Sequence, residues 1–223
     1  MGKMIELTAS DGHKLAAYRA DPAGKPRGAV VVIPEIFGVN SHIQSVGDGF
    51  AKDGYAVIAP ALFDRYERGV DIGYTPEDIA KGRELKGRTQ IDATLLDVAA
   101  ARNALSAAGK VGIVGYCWGG TVSWRAAAST SGLACSAPYY GGGMPSFMDE
   151  KPKVPTMCNF GELDQSPTPA QAKELLAKHP EVQGHFYAGA GHGFNCDHRG
   201  SYNAEAAKLA RERTLAFFRK HIG

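Results

Sequence analysis

Apolar residues along this chain fall into short unbroken runs separated by longer stretches with helical spacing. Ile5 to Ala9 and Lys14 to Tyr18 flank Ser10-Asp11-Gly12, which predicts an N-terminal β-hairpin with an Asp-Gly type of turn. Ala29 to Ile33 is a β-branched run without polar alternation, as expected of a central parallel strand buried on both faces. Tyr55 to Ala59, closed by Pro60, predicts the next strand. Further strands are predicted over Lys110–Gly115, Leu133–Tyr140, Val154–Phe160 and Val182–Tyr187. Between them lie helix signals. Asn40 or Ser41 can cap a helix running to about Asp53, and Asp64 to Tyr74 reads as irregular. Thr75-Pro76-Glu77-Asp78 opens a helix with a cap, a proline at the first position and acids in the first turn. Helical patterning continues to Ala108 but breaks near Gly87, predicting a short lid-like helix and then a longer one. Thr121 to Ala128, Thr168 to Lys178 and Tyr202 to His221 complete the set. Strands alternating with helices imply an α/β fold: a mainly parallel sheet, helices on both faces, and an antiparallel hairpin at the start. With no linker or internal repeat, one domain over residues 1–223 is expected.

Composition narrows the function. A net charge of +2, with basic residues scattered, gives no reason to expect nucleic acid or an anionic membrane as partner. No apolar run approaches membrane-spanning length and no secretory leader is visible, so a cytoplasmic address and a monomer are expected. The four cysteines show no C-x-x-C pair and read as free thiols. There is no dinucleotide fingerprint and no P-loop, and Cys196-Asp197-His198 is too isolated to suggest zinc; no metal or cofactor is expected.

Chemistry concentrates around Gly115-Tyr116-Cys117-Trp118-Gly119. This is a nucleophile elbow with cysteine where serine usually stands, following an apolar strand and opening a helix. Side chains at the two glycine positions would collide with the neighbouring strand or helix. The helix N-terminus beside the sulfur favours a thiolate. A thiol nucleophile needs a base and a group to orient it. His192 lies in Ala190-Gly191-His192-Gly193-Phe194, directly after the last predicted strand, where the triad histidine of such folds belongs. The acid follows an earlier strand, and Glu162 and Asp164 both fit. Glu35, at the carboxyl end of a buried strand, needs a partner if buried and could control protonation of Cys117. The N–H groups of Ile36 and Trp118 are the candidate oxyanion donors. Phe37, Tyr139 and Phe194 are candidate pocket walls.

Glu35, the Gly-Tyr-Cys-x-Gly-Gly elbow, Gly161-x-x-Asp164 and Ala190-Gly-His192 together resemble the dienelactone hydrolase (carboxymethylenebutenolidase) family over nearly the whole chain. The resemblance implies an α/β-hydrolase fold with Cys117 as nucleophile, His192 as base, Asp164 as orienting acid and Glu35 as the thiol's partner, released to it when substrate enters. It also implies a lactone or small-ester substrate, opened through an acyl-cysteine. Two departures stand out. Cys196 occupies the place of the family's carboxylate-binding arginine, four residues after the histidine, and Gly193 replaces a serine. A second family arginine lies in the lid segment, where Arg83 or Arg88 is expected; Arg199 is a further cation that could replace the missing clamp. Rival readings are a general carboxylesterase or thioesterase without carboxylate preference, and a non-catalytic binding or redox-sensing protein using Cys117.

Overall fold

The computed structural model describes residues 2–223. The hairpin forms first, from β1 (Lys3–Thr8) and β2 (Lys14–Ala20), paired antiparallel with Leu7 opposite Leu15. The remaining strands are β3 (Gly28–Ile33), β4 (Tyr55–Pro60), β5 (Val111–Tyr116), β6 (Leu133–Tyr139), β7 (Met157–Gly161) and β8 (Gln183–Tyr187). The helices are α1 (Ser41–Lys52), α2 (Pro76–Arg88), α3 (Ile91–Ala104), α4 (Trp118–Ser129), α5 (Pro169–Lys178) and α6 (Ala204–His221). All eight strands join one sheet in the order β1-β2-β4-β3-β5-β6-β7-β8. Pairing is parallel from β4 onward, and β2 meets β4 antiparallel.

The alternation of side chains along a strand divides the core in two. Val30, Val32 and Val57 face α1 and α6, where Phe50 and Phe218 pack on them. Val31, Ile33, Ile58 and Ile113 face the opposite way, onto Val98 and Ala101 of α3 and Val122 of α4. The two central strands carry no charged side chain because neither face meets water. Among the described residues no helix is long and apolar enough to cross a membrane.

Local chemistry sets the helix starts. Asn40 accepts the Ile43 N–H and caps α1. Thr75 with Asp78, and Thr168 with Gln171, form capping boxes at α2 and α5, each with proline in the first turn. Boundaries differ from the sequence reading in several places, four of which bear on local structure. Pro60 ends β4 from inside the strand, opposite Ala17. The lid helix passes through Gly87 and breaks at Thr89-Gln90. β7 begins at Met157, with Thr156 making only an isolated bridge to Ser136. A 3-10 turn, Leu62–Arg65, occupies part of the stretch expected to be irregular.

Candidate active site

β5 ends where the chain must reverse into α4, and Cys117 is the hinge of that reversal, with φ 55° and ψ −116°. A non-glycine residue in this region is strained and persists only where its surroundings hold it. They do so through close approach. A Cβ on Gly115 would meet the carbonyl of Gly119 and lie 2.9 Å from Ser123 Oγ, and one on Gly119 would meet the carbonyls of Ile33 and Pro34. Cys117 N–H donates to the Tyr139 carbonyl at 3.1 Å, tying the elbow to β6. The Cys117 sulfur therefore stands at the N-terminus of α4, half-buried at the carboxyl edge of the sheet.

Asp164 and His192 arrive from neighbouring loops. Asp164 follows β7, is fully buried, and accepts the Ser166 N–H at 2.7 Å. Glu162, two residues earlier, is exposed. His192 Nδ1 faces both Asp164 oxygens, at 3.2 and 3.1 Å. A carboxylate can only accept, so Nδ1 carries the proton and Nε2 is left for chemistry. Burial opposes a charge on His192, but the Cys117 sulfur and the Asp164 carboxylate outweigh it and push the imidazolium up to about 10. Tyr140, held at φ 35°, packs its ring against His192 with centroids 5.2 Å apart.

A cavity of about 630 Å³ opens over these groups, lined by Cys117, His192, Asp164, Ile36, Phe37, Trp118, Thr121 and Arg199 among others. Neither the Trp118 nor the Ile36 N–H has a protein acceptor among the described residues. The lid helix α2 closes one side with Ile79, Arg83 and Lys86. Trp118 stacks on Phe63 at 5.0 Å and forms the floor below.

Glu35 is 1% exposed, and its Oε1 accepts from Arg199 Nη1 at 3.0 Å. The carboxylate is thus paired with Arg199, and no bond to Cys117 is formed among the described residues. Arg199 reaches this point past Gly193, which lies at φ 77°. A Cβ there would fall 2.8 Å from Arg199 Cζ, so the glycine in place of the family's serine leaves room for this guanidinium.

Three expectations about the pocket are corrected. Tyr139 and Phe194 lie in the core beneath it, Tyr139 within hydrogen-bonding distance (2.6 Å) of Thr214 Oγ1 on α6. Arg88 points away from the cavity, over the Tyr66 ring and near Glu84. Arg83 and Phe37 do reach it. Sequence reasoning gave no role to Lys86, which follows from helix geometry: Ile79, Arg83 and Lys86 are spaced four and three apart and share one face. It also gave none to His42, which no local motif marks.

The sequence model of the dienelactone hydrolase family matches residues 15–222. The chain belongs to the dienelactone hydrolase family. Carboxymethylenebutenolidases of Pseudomonas putida and Pseudomonas knackmussii are each 32% identical to it over 226 residues, covering 96% of this chain and 94% of theirs. The dienelactone hydrolase of Anabaena variabilis shares its fold, with TM-score 0.76, 18% identity and coverage of 100% of this chain and 99% of that one. As a dienelactone hydrolase family member, the chain is a carboxylic ester hydrolase with the α/β-hydrolase fold.

Proposed function

We propose that the chain opens a lactone, or cleaves a small ester, through an acyl-enzyme on Cys117. The observation that carries this reading is the alignment of Cys117, His192 and Asp164 along one wall of the cavity, with both Asp164 oxygens on His192 Nδ1. The thiolate attacks the carbonyl carbon, and the oxyanion is met by the N–H groups of Ile36 and Trp118. Collapse expels the enolate or alkoxide, which takes the proton from His192. The sulfur is now a neutral thioester. That removes one of the charges holding the proton on His192, so the imidazole becomes a base, activates water and releases the acid.

Glu35 enters as a gate. A substrate carboxylate competing for Arg199 frees Glu35 to take the proton from the fraction of Cys117 still held as thiol, so that the reactive thiolate is most populated when substrate is present. Arg83, Lys86 and Arg199 around the cavity support an anionic substrate. Arg199, reaching past Gly193, supplies a cation that Cys196 does not. One such clamp on a carboxylate contributes about 1.5–3 kcal/mol.

The test is hydrolysis of cis- and trans-dienelactone against uncharged lactones and short aryl esters, with Cys117→Ala as the blank. Faster turnover of the charged lactones, lost on Arg199→Met, is the expected result. Equal or faster turnover of uncharged esters or thioesters would replace this reading with a carboxylesterase or thioesterase. No turnover by an intact thiol would replace it with a binding or redox-sensing role.

A further inference from the structure

Behind the wall that Arg199 makes, three side chains from separate segments of the chain converge away from solvent. Glu35 follows β3, His42 lies in the first turn of α1, and Cys196 lies in the loop before α6; they are 1%, 3% and 0% exposed. One ligating atom from each lies within 4.8 Å of the other two. Buried polar atoms nearly always have partners. Here Glu35 Oε2 and His42 Nε2 have none.

Their other atoms are held. Glu35 Oε1 accepts from Arg199, and His42 Nδ1 stands 3.1 Å from Asp197 Oδ1. Because Asp197 can only accept, the proton sits on Nδ1 and the Nε2 lone pair is free. A carboxylate behind the far nitrogen is the usual support of a metal-bound histidine. Lone pairs of oxygen, nitrogen and sulfur brought together out of water repel one another unless a proton or a metal cation lies among them.

We propose that Glu35, His42 and Cys196 bind one zinc ion. The donor set is one nitrogen, one sulfur and one carboxylate oxygen. Calcium and magnesium favour oxygen alone, whereas zinc takes all three, and three protein ligands leave a fourth position for water. Binding displaces the Cys196 thiol proton to solvent. The resulting thiolate and the Glu35 carboxylate then balance the charge of the ion. Zinc–ligand bonds of about 2.0–2.3 Å require the three atoms to draw inward slightly. The sequence hid this site because its ligands are 7 and 154 positions apart, with no short-spaced pair. A zinc ion here holds Glu35, so occupancy slows the hydrolase; this consequence, unlike binding itself, rests on the gating role proposed above.

The test titrates the reduced, metal-free chain with Co²⁺ as a spectroscopic probe of the zinc site. One equivalent should bind with a thiolate-to-cobalt charge-transfer band, and Zn²⁺ should displace it. Cys196→Ser should abolish the band, while Cys117→Ser should retain it. Asp197→Asn, changed at a side chain 60% exposed and so harmless to folding, should weaken affinity about 10–100-fold. Absence of the band while all four thiols titrate as free would overturn the proposal. So would a band that survives Cys196→Ser and vanishes with Cys117→Ser. Should Cys196→Ser not fold, unchanged cobalt affinity in Asp197→Asn would overturn it equally.

Discussion

Two buried carboxylates in this molecule have opposite surroundings. Asp97 on α3 is gripped at both oxygens by Arg65, at 2.7 and 2.8 Å, and Arg65 reaches on to Asp11 in the hairpin turn at 2.7 Å. Both Asp97 oxygens and all three Arg65 nitrogens have a partner there, and the cluster ties the hairpin to the helical layer. Glu35 has one contact to Arg199, an open second oxygen, and an open His42 nitrogen nearby. A closed pair belongs to the fold. A half-open pair, beside a strained Cys117 and a cavity, is available to a ligand.

The comparison sharpens at its largest effect. Cys117→Ala should reduce turnover by about four to six powers of ten with the fold intact, read as kcat/KM beside a thermal melt. Asp164→Asn, which keeps the shape but spoils the tautomer of His192, should reduce it about 10⁴-fold. At the closed cluster the order reverses. Asp97→Ala leaves the mostly buried Arg65 with only the more exposed Asp11 as partner and should cost about 2–3 kcal/mol of stability, measured by denaturant unfolding, with kcat of the remaining folded enzyme little changed. Glu35→Gln should do the opposite, slowing acylation while leaving the unfolding midpoint nearly unmoved. A large loss of stability in Glu35→Gln, or of activity in folded Asp97→Ala, would break the distinction. Removing the α5 cap by Thr168→Ala sets the smallest scale, about 1 kcal/mol of stability and no change in turnover.

Proton occupancy at His192 offers a further check. Its pKa is raised above the unfolded value of 6.5 to about 10, so the stability it contributes is complete below about pH 6.5 and lost as pH rises through about 10. The melting temperature should therefore fall across that window more steeply in the native chain than in Cys117→Ala, where the sulfur's contribution is gone. An NMR titration of the His192 ring should show its pKa moving down in the same variant.

Much of the fold was legible because its signals are local. The Asp11-Gly12 turn, the caps at Asn40, Thr75 and Thr168, and the apolar runs of β3 and β5 each declare themselves within a few residues. So does the elbow, whose glycines are required by contacts with Ile33, Pro34 and Ser123. Asp164 could not be separated from Glu162 by spacing; burial separates them. Arg83 and Arg88 could have been separated, since five residues turn a helix by about 140° beyond one full revolution. Tyr139 was misjudged because strand parity turns its side chain toward α6, beneath the site rather than into it. The reach of Arg199 to Glu35, and the meeting of His42 with Cys196, depend on loops folding back across the sheet edge. No local pattern encodes that.

The central claim is an acyl group on Cys117. The direct measurement is mass spectrometry of the chain quenched during turnover of a slow ester or lactone, using His192→Ala to retard deacylation. The account predicts an acyl mass increase on the peptide containing Cys117, absent from Cys117→Ala. Turnover that persists in Cys117→Ala, or an acyl group carried on another residue, would contradict it.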